Sequence, residues 1–344
     1  MKSHYLLNSF YFQKQLFEKY LNEEFIFHFS PPVFKTRLRA IFYIPYNILC
    51  LIWLYWTGKI KCYQVIHFNR VEAFWLWRRI PGQVTIFEVH GFDVGVRGEL
   101  YLRDLHSKFK YRLGMLIDRL ITKRIIKNIQ QVDLFYCSTP DLVEPIAAWC
   151  GRKPLWLPNP IDVDLFTSDG PVAELSGQPA CFLAARLHGD KKPEVAIDIF
   201  QKFIKPKYPG AVLHLLETGE LVAKYKRELA NDQSYVWHGF MDKSLLASVI
   251  RGADLVFGDF SIGALGLLPM QVMACKRPIV TLDHYEIIKT PIEELPDLAI
   301  KLLYNEHFRN EFVGRNYDYI FSTHAPAAAC GIHLRNLREF IPEI

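Results

Sequence analysis

The chain has 344 residues and a mass of 40.1 kDa, which exceeds the length at which one hydrophobic core usually stops growing, so two domains are expected. Half of the residues are apolar or aromatic and only 22% are charged, which excludes wholesale disorder. The seven cysteines form no CxxC pair and no Cys/His cluster at zinc spacing. This usage is typical of a protein in a reducing compartment.

The net charge of +5 is unevenly distributed along the chain. Residues 1–165 hold 22 Lys/Arg against 14 Asp/Glu, a balance of +8, whereas the remainder holds 19 against 22, a balance of −3. Six of the seven tryptophans also lie in the first part, and aromatic rings beside cations are typical of surfaces at membrane headgroups. The first part is therefore expected to meet an anionic membrane surface, with an unevenly charged but fully soluble domain as the alternative.

Two segments near the amino terminus bear on location. Residues 1–10 lack the long apolar core and the cleavage site of a signal peptide, so a cytoplasmic protein is expected. Ala40–Gly58 runs 19 residues without a charge between basic flanks, close to the length of a membrane span, but contains Pro45 and Asn47. The pattern favours an aromatic helix lying partly in a membrane interface, which predicts a peripheral protein on the inner face of a membrane. A buried crossover helix and a true span are the alternatives.

The first 167 residues predict one doubly wound α/β domain, because buried strands alternate with helical periodicity. The predicted strands are HYLLNS, EEFIFHFS, CYQVIHF, QVTIFEVH, LFYCS and PLWLP, and the predicted helices cover 10–21, 36–57, 70–79, 103–130 and 140–149.

A polar linker rich in Gly, Pro and Ser follows at Ser168–Pro179. The alternation then restarts, which predicts a second doubly wound domain over 168–324. Its predicted strands are ACFLAAR, AVLHLLE, YVWHGF, LVFGDF and PIVTL. Residues 325–344 predict a helix able to pack back on the first domain. Two such domains predict a ligand cleft between the carboxyl ends of their strands.

Two segments of the second domain combine strand ends with anion-binding groups. In AARLHGDKK (184–192), Arg186 and Lys191 leave one strand end together, where a guanidinium and an ammonium can hold one diphosphate. In DFSIGALGLLPMQVMAC (259–275), Gly266 allows close backbone approach, and the free N–H groups of the helix start near Leu267 favour an anion. Together they predict a diphosphate site; taken alone, the first segment is equally consistent with a solvated basic loop.

Four segments in chain order resemble the retaining glycosyltransferases of family 4, which have the GT-B fold. They are VDLFYCSTP…PNPIDVDLF (132–166), ARLHGDKK (185–192), VLHLLETGE (212–220) and VWHGFMDKSLLASVIRGADLVFGDFSIGALGLLPMQVMACKRPIV (236–280). The resemblance covers about residues 85–280. It implies two Rossmann-like domains facing across a cleft, and transfer of a hexose from a nucleotide diphosphate sugar to an acceptor hydroxyl with retention. It also implies that no metal and no cofactor besides the donor substrate takes part.

The resemblance also assigns candidate site residues. His90, at the end of FEVHGFDV, looks like the family's histidine on the acceptor side, where an imidazole can bind a sugar hydroxyl or accept its proton. Strand alternation puts Glu88 on the same face as His90. The donor-binding candidates are Arg186, Lys191, Gly219, Gly263, Gly266, Leu267 and Gln271.

Two of these positions depart from the family pattern, which has glutamates where this chain has Gly263 and Gln271. Gln271 keeps an acceptor for a ribose hydroxyl, and exchanging a charge-assisted bond for a neutral one costs roughly 1 to 1.5 kcal/mol. Gly263 offers no side chain, so that contribution comes from the backbone, from a neighbour such as Asp259, or is absent. A catalytically silent GT-B scaffold that binds a nucleotide, a glycan or a protein is therefore the alternative to an enzyme, and a membrane-surface adaptor is a third hypothesis.

Two motifs do not change this interpretation. Asp162 and Asp164 have the DxD spacing of a metal site, but they lie in the interdomain segment that the resemblance explains. The basic run 103–127 carries apolar residues at helical spacing, which leaves its cations on a solvated or lipid-facing side and argues against nucleic acid. The expected partners are the nucleotide sugar, a glycan or lipid-linked acceptor, and an anionic membrane surface.

Overall fold

Two parallel β-sheets organise the chain. The computed structural model describes residues 5–8, 26–28, 39–69, 74–90, 108–261 and 263–342. The chain divides into a first unit of residues 1–158 and 329–344 and a second unit of residues 159–328. Each unit is built around one of the sheets.

The sheet of the first unit has the strand order β2-β1-β3-β4-β5-β6, and the described strand pairs are all parallel. The strands are β1 (Tyr5–Asn8), β2 (Ile26–His28), β3 (Val65–Phe68), β4 (Val84–Val89), β5 (Leu134–Cys137) and β6 (Leu155–Trp156). The helices are α1 (Arg39–Trp56), α2 (Lys108–Ile129) and α3 (Val143–Cys150). β3, β4 and β5 are buried along their whole length, as parallel strands covered on both faces are.

Alternating side chains of these strands enter two separate apolar clusters. Phe87 and Phe135 pack with the cluster that contains α1 and α2 residues. Ile86 and Tyr136 pack in the other cluster with Cys330, which lies on the carboxyl-terminal helix of the chain. That helix, α10, spans Pro326–Arg338 and covers one face of the first sheet, as the sequence predicts.

The sheet of the second unit has the strand order β11-β10-β7-β8-β9 and is parallel. Its strands are β7 (Ala180–Leu183), β8 (Val212–Leu216), β9 (Tyr235–His238), β10 (Leu255–Phe257) and β11 (Ile279–Val280). Its helices are α4 (Pro193–Ile199), α5 (Val222–Glu228), α6 (Lys243–Gly252), α7 (Leu267–Ala274), α8 (Leu295–Tyr304) and α9 (Glu306–Thr323). The strand order reverses between β7 and β10, where open α/β sheets bind ligands.

The boundary between the units lies nine residues before the predicted one, between Pro158 and Asn159 rather than after residue 167. The reason is packing, because Ile161 and Phe166 are buried in the core of the second unit. Hydrogen bonds add to this: the Asn159 carbonyl lies 3.0 Å from His324 Nδ1, and Ile161 N donates to the His324 carbonyl. The segment that resembles an interdomain linker is therefore part of the second unit.

The predicted helices differ from the observed ones in two described places, residues 74–80 and residues 295–323, where α8 and α9 form without having been predicted. The predicted helix over 70–79 is not seen in its second half, since 75–76 form a turn and 77–80 are irregular. The predicted helix over 10–21 lies outside the described residues. The uncharged segment forms α1, and no helix in the described ranges is long and apolar enough to cross a membrane.

Candidate functional site

The loop after β7 carries the two predicted diphosphate ligands. Arg186 is exposed, and Lys191 lies in a short 3-10 turn over Gly189–Lys191. The Lys191 ammonium is 3.5 Å from the Asp259 carboxylate, and the Lys191 carbonyl accepts a hydrogen bond from Phe260 N. The loop after β7 is thereby tied to the loop after β10, on the strand with which β7 pairs.

The loop after β8 approaches the same segment mainly through backbone. Leu187 N donates to the Thr218 carbonyl, and Leu221 N donates to the Leu187 carbonyl. Gly219 has a φ of +120°, and a Cβ at this position would overlap the Leu187 carbonyl. Glu220 adds a side-chain contact by accepting a hydrogen bond from Gly189 N at 3.3 Å. Only glycine satisfies both the dihedral and the close approach at 219.

Asp259 is the buried acid of this cluster. Asp259 is 7% exposed. Burial raises the pKa of its carboxyl group, and the nearby Lys191 ammonium opposes this rise. A Cβ built on Gly266 would lie 3.3 Å from Asp259 Oδ2, so the carboxylate stands beside the start of α7. A negative group therefore accompanies the cations that the sequence assigns to diphosphate binding.

The backbone at Gly263 excludes a side chain. Gly263 has a φ of +75°, in the left-handed region, and a Cβ would overlap the His284 ring. The Gly263 carbonyl accepts a hydrogen bond from His284 N at 2.7 Å, which fixes this arrangement. The backbone conformation at 263 and the packing of His284 against it therefore leave room for glycine only.

The amino terminus of α7 follows directly. Gly266 is its N-cap and no side chain caps the helix, so the N–H groups of Leu267 and Leu268 have no acceptor within it. Pro269 has no N–H, and Gln271 is half-buried, with no side-chain hydrogen bond to the described residues. The first turn of α7 therefore presents free donors and Gln271 an uncommitted amide.

A buried glutamate that sequence reasoning did not single out supports this loop. The side chain of Glu286 is 2% exposed and accepts a hydrogen bond from Leu265 N at 3.3 Å. Its other oxygen accepts from the Tyr319 hydroxyl at 2.6 Å and lies 3.0 Å from His324 Nε2. The glycine-containing loop is anchored to α9 and to the residue after it through this carboxylate.

In the first unit, Glu88 lies at the centre of a histidine cluster. Its carboxylate is 3.3 Å from His90 Nε2 and 3.2 Å from His67 Nε2, and it accepts a hydrogen bond from Asn69 at 3.2 Å. Glu88 and His67 are buried, whereas the His90 side chain is 26% exposed. His90 is therefore the member of this cluster that reaches solvent, and the Glu88 carboxylate lies beside its ring.

The cluster continues to the carboxyl-terminal helix. His333 of α10 is fully buried and stacks on His67 with ring centroids 5.7 Å apart. Burial lowers the pKa of His333 to about 3. Burial alone would raise the pKa of Glu88, but the charges of His90 and His67 and a hydrogen bond from His67 hold it below its usual value. The sequence signal for His67 is its place in a predicted buried strand, while nothing in the local pattern connects His333 to this cluster.

Comparison with known proteins gives a fold. The sequence matches no family model and no curated protein. Among solved structures, sucrose-phosphate synthase from Thermosynechococcus elongatus aligns over 100% of this chain and 96% of its own, with a TM-score of 0.68 and 13% identity. WaaG, a glycosyltransferase involved in lipopolysaccharide biosynthesis, aligns over 96% and 99%, with a TM-score of 0.58 and 12% identity.

A third structure is a mutant of S. aureus TarM in complex with fondaparinux, α-GlcNAc-glycerol and UDP. It aligns over 85% of this chain with a TM-score of 0.56 and 14% identity, and this chain spans 58% of the TarM chain. The chain therefore has the GT-B fold, an α/β architecture of two Rossmann-like domains, as the sequence predicts.

Proposed function

We propose that the protein is a glycosyltransferase that moves a hexose from a nucleotide diphosphate sugar to an acceptor hydroxyl with retention and without a metal ion. The observation that carries the proposal is the meeting of the β7 and β10 loops at the switch point of the second sheet. There Arg186, Lys191 and the uncapped start of α7 offer cations and free N–H groups to one diphosphate. Fold alone does not set chemistry, so the site carries the argument.

The proposed catalysis is positioning and electrostatic stabilisation. When the sugar leaves the donor, the bonding electron pair stays on the diphosphate, and Arg186, Lys191 and the N–H groups near Leu267 stabilise that charge. His90, which lies beside the Glu88 carboxylate, binds the reacting hydroxyl. Gln271 holds the donor ribose through its amide.

Asp259 is our candidate for the role of the missing glutamate at 263. It is a buried carboxylate beside Gly266, on the same loop. Its ion pair with Lys191 keeps an acceptor for sugar hydroxyls next to the cation that would meet the diphosphate. Donor binding therefore places the sugar against Asp259 and the diphosphate against Arg186 in this proposal.

The test is a panel of UDP-, GDP- and ADP-hexoses, with release of the nucleoside diphosphate measured for the parent and for Arg186→Ala. One donor is expected to be hydrolysed slowly by the parent, and the variant is expected to be strongly impaired. Lys224→Ala is the matched control, since Lys224 is an exposed cation of α5 that contacts Glu228 and Tyr225 of the same helix. The proposal fails if no donor releases diphosphate and none raises the melting temperature.

A catalytically silent scaffold is the second candidate, and the crowded backbone at Gly263 favours it. The two candidates differ in one result of the same panel. A scaffold raises its melting temperature with a nucleotide sugar but releases no diphosphate even with long incubation. Slow release that depends on Arg186 supports the enzyme instead.

We further propose that the protein docks on the cytoplasmic face of an anionic membrane through one face of α1. Four apolar side chains of this helix are exposed at helical spacing; this α1 stripe consists of Leu49, Ile52, Trp53 and Trp56. Leu51 and Leu54 point to the core instead. Leu49 is 64% and Trp56 is 88% exposed, which a water-facing surface does not favour.

Cations flank the α1 stripe. Lys59 and Lys61 follow the helix and are exposed, and the Lys59 ammonium lies 4.6 Å from the centroid of the Trp53 ring. Each cation near an anionic surface contributes about 1 kcal/mol, and the aromatic rings add interfacial burial. A glycan or lipid-linked acceptor at such a surface suits an enzyme docked in this way.

Liposome sedimentation tests the docking. The parent is expected to sediment with anionic vesicles at low salt and to be released by high salt, whereas Trp53→Ser/Trp56→Ser remains in the supernatant. Phe240→Ser is the matched control, because Phe240 is a 96% exposed aromatic residue of the second unit. Equal sedimentation of all three proteins, or none for the parent, contradicts the proposed surface.

A further inference from the structure

A cavity opens at the amino-terminal edge of the second sheet, opposite the edge that carries the loops of the proposed donor site. Pro179, Asp254 and Pro278 line it, and each directly precedes a strand: β7, β10 and β11. The volume is about 520 Å³, in the range of small-molecule sites. We name it the basal cavity.

Three cations line the basal cavity: Lys276, Arg277 and Arg309. Arg277 is half-buried, and its guanidinium forms no hydrogen bond and no ion pair within 4.0 Å with the described part of the chain. Burial lowers the pKa of Arg277, an effect that the charge of Asp254 opposes. One guanidinium nitrogen of Arg309 donates hydrogen bonds to the carbonyls of Leu302 and Leu303, each at 3.3 Å. A partly desolvated guanidinium with no hydrogen-bonded or ion-paired carboxylate within 4.0 Å can bind an anion.

The rest of the lining offers groups of a different kind. Asp254 Oδ2 accepts a hydrogen bond from Ala180 N at 2.8 Å, which leaves its second oxygen for another donor. Gln178 and Asn310 also line the cavity and carry amide groups that both donate and accept. Acceptors of this kind suit hydroxyl groups, and guanidinium groups suit a phosphate. We propose that the basal cavity binds a small phosphorylated sugar, with its phosphate on Arg277 and Arg309 and its hydroxyls toward Asp254.

This site is separate from the proposed reaction. The donor-binding candidates follow the carboxyl ends of β7, β8 and β10, whereas the basal cavity is lined by residues that precede β7, β10 and β11. No residue is shared between the two sets. Variants at the two places therefore distinguish them, and the basal cavity keeps its ligand even if the donor assignment fails.

Calorimetric titration with ribose 5-phosphate is the test, with ribose as the neutral probe. We expect saturable binding of the phosphate ester, no measurable binding of ribose, and a loss of at least tenfold in affinity for Arg277→Gln. Arg186→Gln in the donor loops and Lys224→Gln on the exposed face of α5 are expected to bind like the parent.

Arg277→Gln is the most informative variant, because the Arg277 guanidinium forms no hydrogen bond or ion pair with the described part of the chain that the substitution would remove. Urea denaturation of the unliganded variant checks that its free energy of unfolding equals that of the parent. Lys276→Gln, at an exposed position of the same lining, gives an independent second measurement with a smaller expected loss. Absence of saturable binding, or binding that Arg186→Gln abolishes while Arg277→Gln does not, overturns the proposal.

Discussion

The two units place their polar groups in opposite ways. In the second unit the loops after β7, β8 and β10 are held by backbone contacts, with Gly219 against Leu187 and Gly263 against His284, and Arg186 stays exposed. In the first unit Glu88 is buried among side chains. Of the described histidines that contact Glu88, only His90 reaches solvent.

Because of this difference, the two regions are expected to be sensitive to different changes, one to added side-chain volume and the other to protonation. A cluster shaped by close backbone approach is sensitive above all to added volume, although it also contains Asp259, whose pKa is raised by burial. A cluster shaped by a buried carboxylate and a buried histidine is sensitive to protonation, because Glu88 and His333 have pKa values displaced from their ordinary ones. Substitutions in the two clusters are therefore expected to differ in their effects on stability, on binding and on the pH dependence of stability.

Gly219→Ala is expected to have the largest effect. The added Cβ would overlap the Leu187 carbonyl, and the φ of +120° is unfavourable for any residue with a Cβ. Together these cost roughly 3 kcal/mol of unfolding free energy in the second unit, measured by urea denaturation with circular dichroism. Nucleoside diphosphate binding is expected to weaken as well, since the loop after β7 must shift.

The control is Gly314→Ala in the interior of α9. A Cβ there meets nothing within 4 Å, so the substitution is expected to be neutral or to stabilise the helix by up to about 1 kcal/mol. If Gly219→Ala and Gly314→Ala have the same urea denaturation midpoint, the close backbone approach at Gly219 does not determine the conformation of this loop.

Arg186→Ala is expected to act on binding without acting on stability. The Arg186 side chain is exposed and forms no hydrogen bond or ion pair with the described part of the chain, so its removal is expected to cost little folding stability while a charged diphosphate contact is lost. Affinity for the nucleoside diphosphate is expected to fall by roughly 1.5 to 3 kcal/mol, measured by calorimetry. Unchanged affinity, against a Lys224→Ala control, contradicts the donor assignment.

How far the sequence predicts the molecule follows from the same contrast. The eleven described strands are all predictable, since parallel strands covered on both faces appear as short apolar runs between turn residues. The loop motifs with Arg186, Lys191 and Gly219 are predictable because their residues are close in sequence or follow strand ends that the topology brings together.

What escapes prediction depends on long-range packing. The unit boundary is misplaced because burial of Ile161 and Phe166 is decided by the helices around them and not by their polar neighbourhood. The contacts of Glu286 with Leu265 and of His333 with His67 join residues far apart in the chain, and no local period encodes them. The exclusion of a side chain at Gly263 likewise needs the position of His284.

His333→Gln tests the protonation side of the contrast. The pKa of His333 is lowered in the folded state to about 3, from an ordinary value of 6.5. The unfolded chain therefore binds the proton first, so stability is complete above pH 6.5 and falls as the pH drops, by about 1.4 kcal/mol per unit from this group. Between pH 6.5 and 4.5 the loss in the first unit is expected from His333, because Glu88 begins to contribute only below its ordinary pKa of 4.5. The pKa values of His214 and His238, which burial also lowers, belong to the second unit.

The measurement is urea denaturation followed by tryptophan fluorescence, which reports the first unit since it holds six of the seven tryptophans. The variant is expected to be less stable at pH 7 but to lose less stability between pH 6.5 and 4.5 than the parent. His307→Gln, at an exposed position of α9, is expected to keep the parental slope. Equal slopes for the parent and His333→Gln contradict the assignment of this dependence to the buried cluster.

The substitutions at Gln271 are expected to have the smallest effect, and they separate an effect on donor binding from an effect on stability at a single position. Gln271 makes no side-chain hydrogen bond to the described residues, so neither Gln271→Leu nor Gln271→Glu is expected to move the denaturation midpoint appreciably. If the amide holds the donor ribose, the leucine variant leaves a hydroxyl unpaired and binds the nucleotide sugar more weakly by about 1 kcal/mol. The glutamate variant restores a charged acceptor and is expected to bind as well as the parent or better. Calorimetry of the three proteins with the donor identified from the hexose panel decides the matter. Equal affinity of the leucine variant and the parent removes Gln271 from the site, and it leaves donor binding to the cations and backbone groups of the loops after β7 and β10.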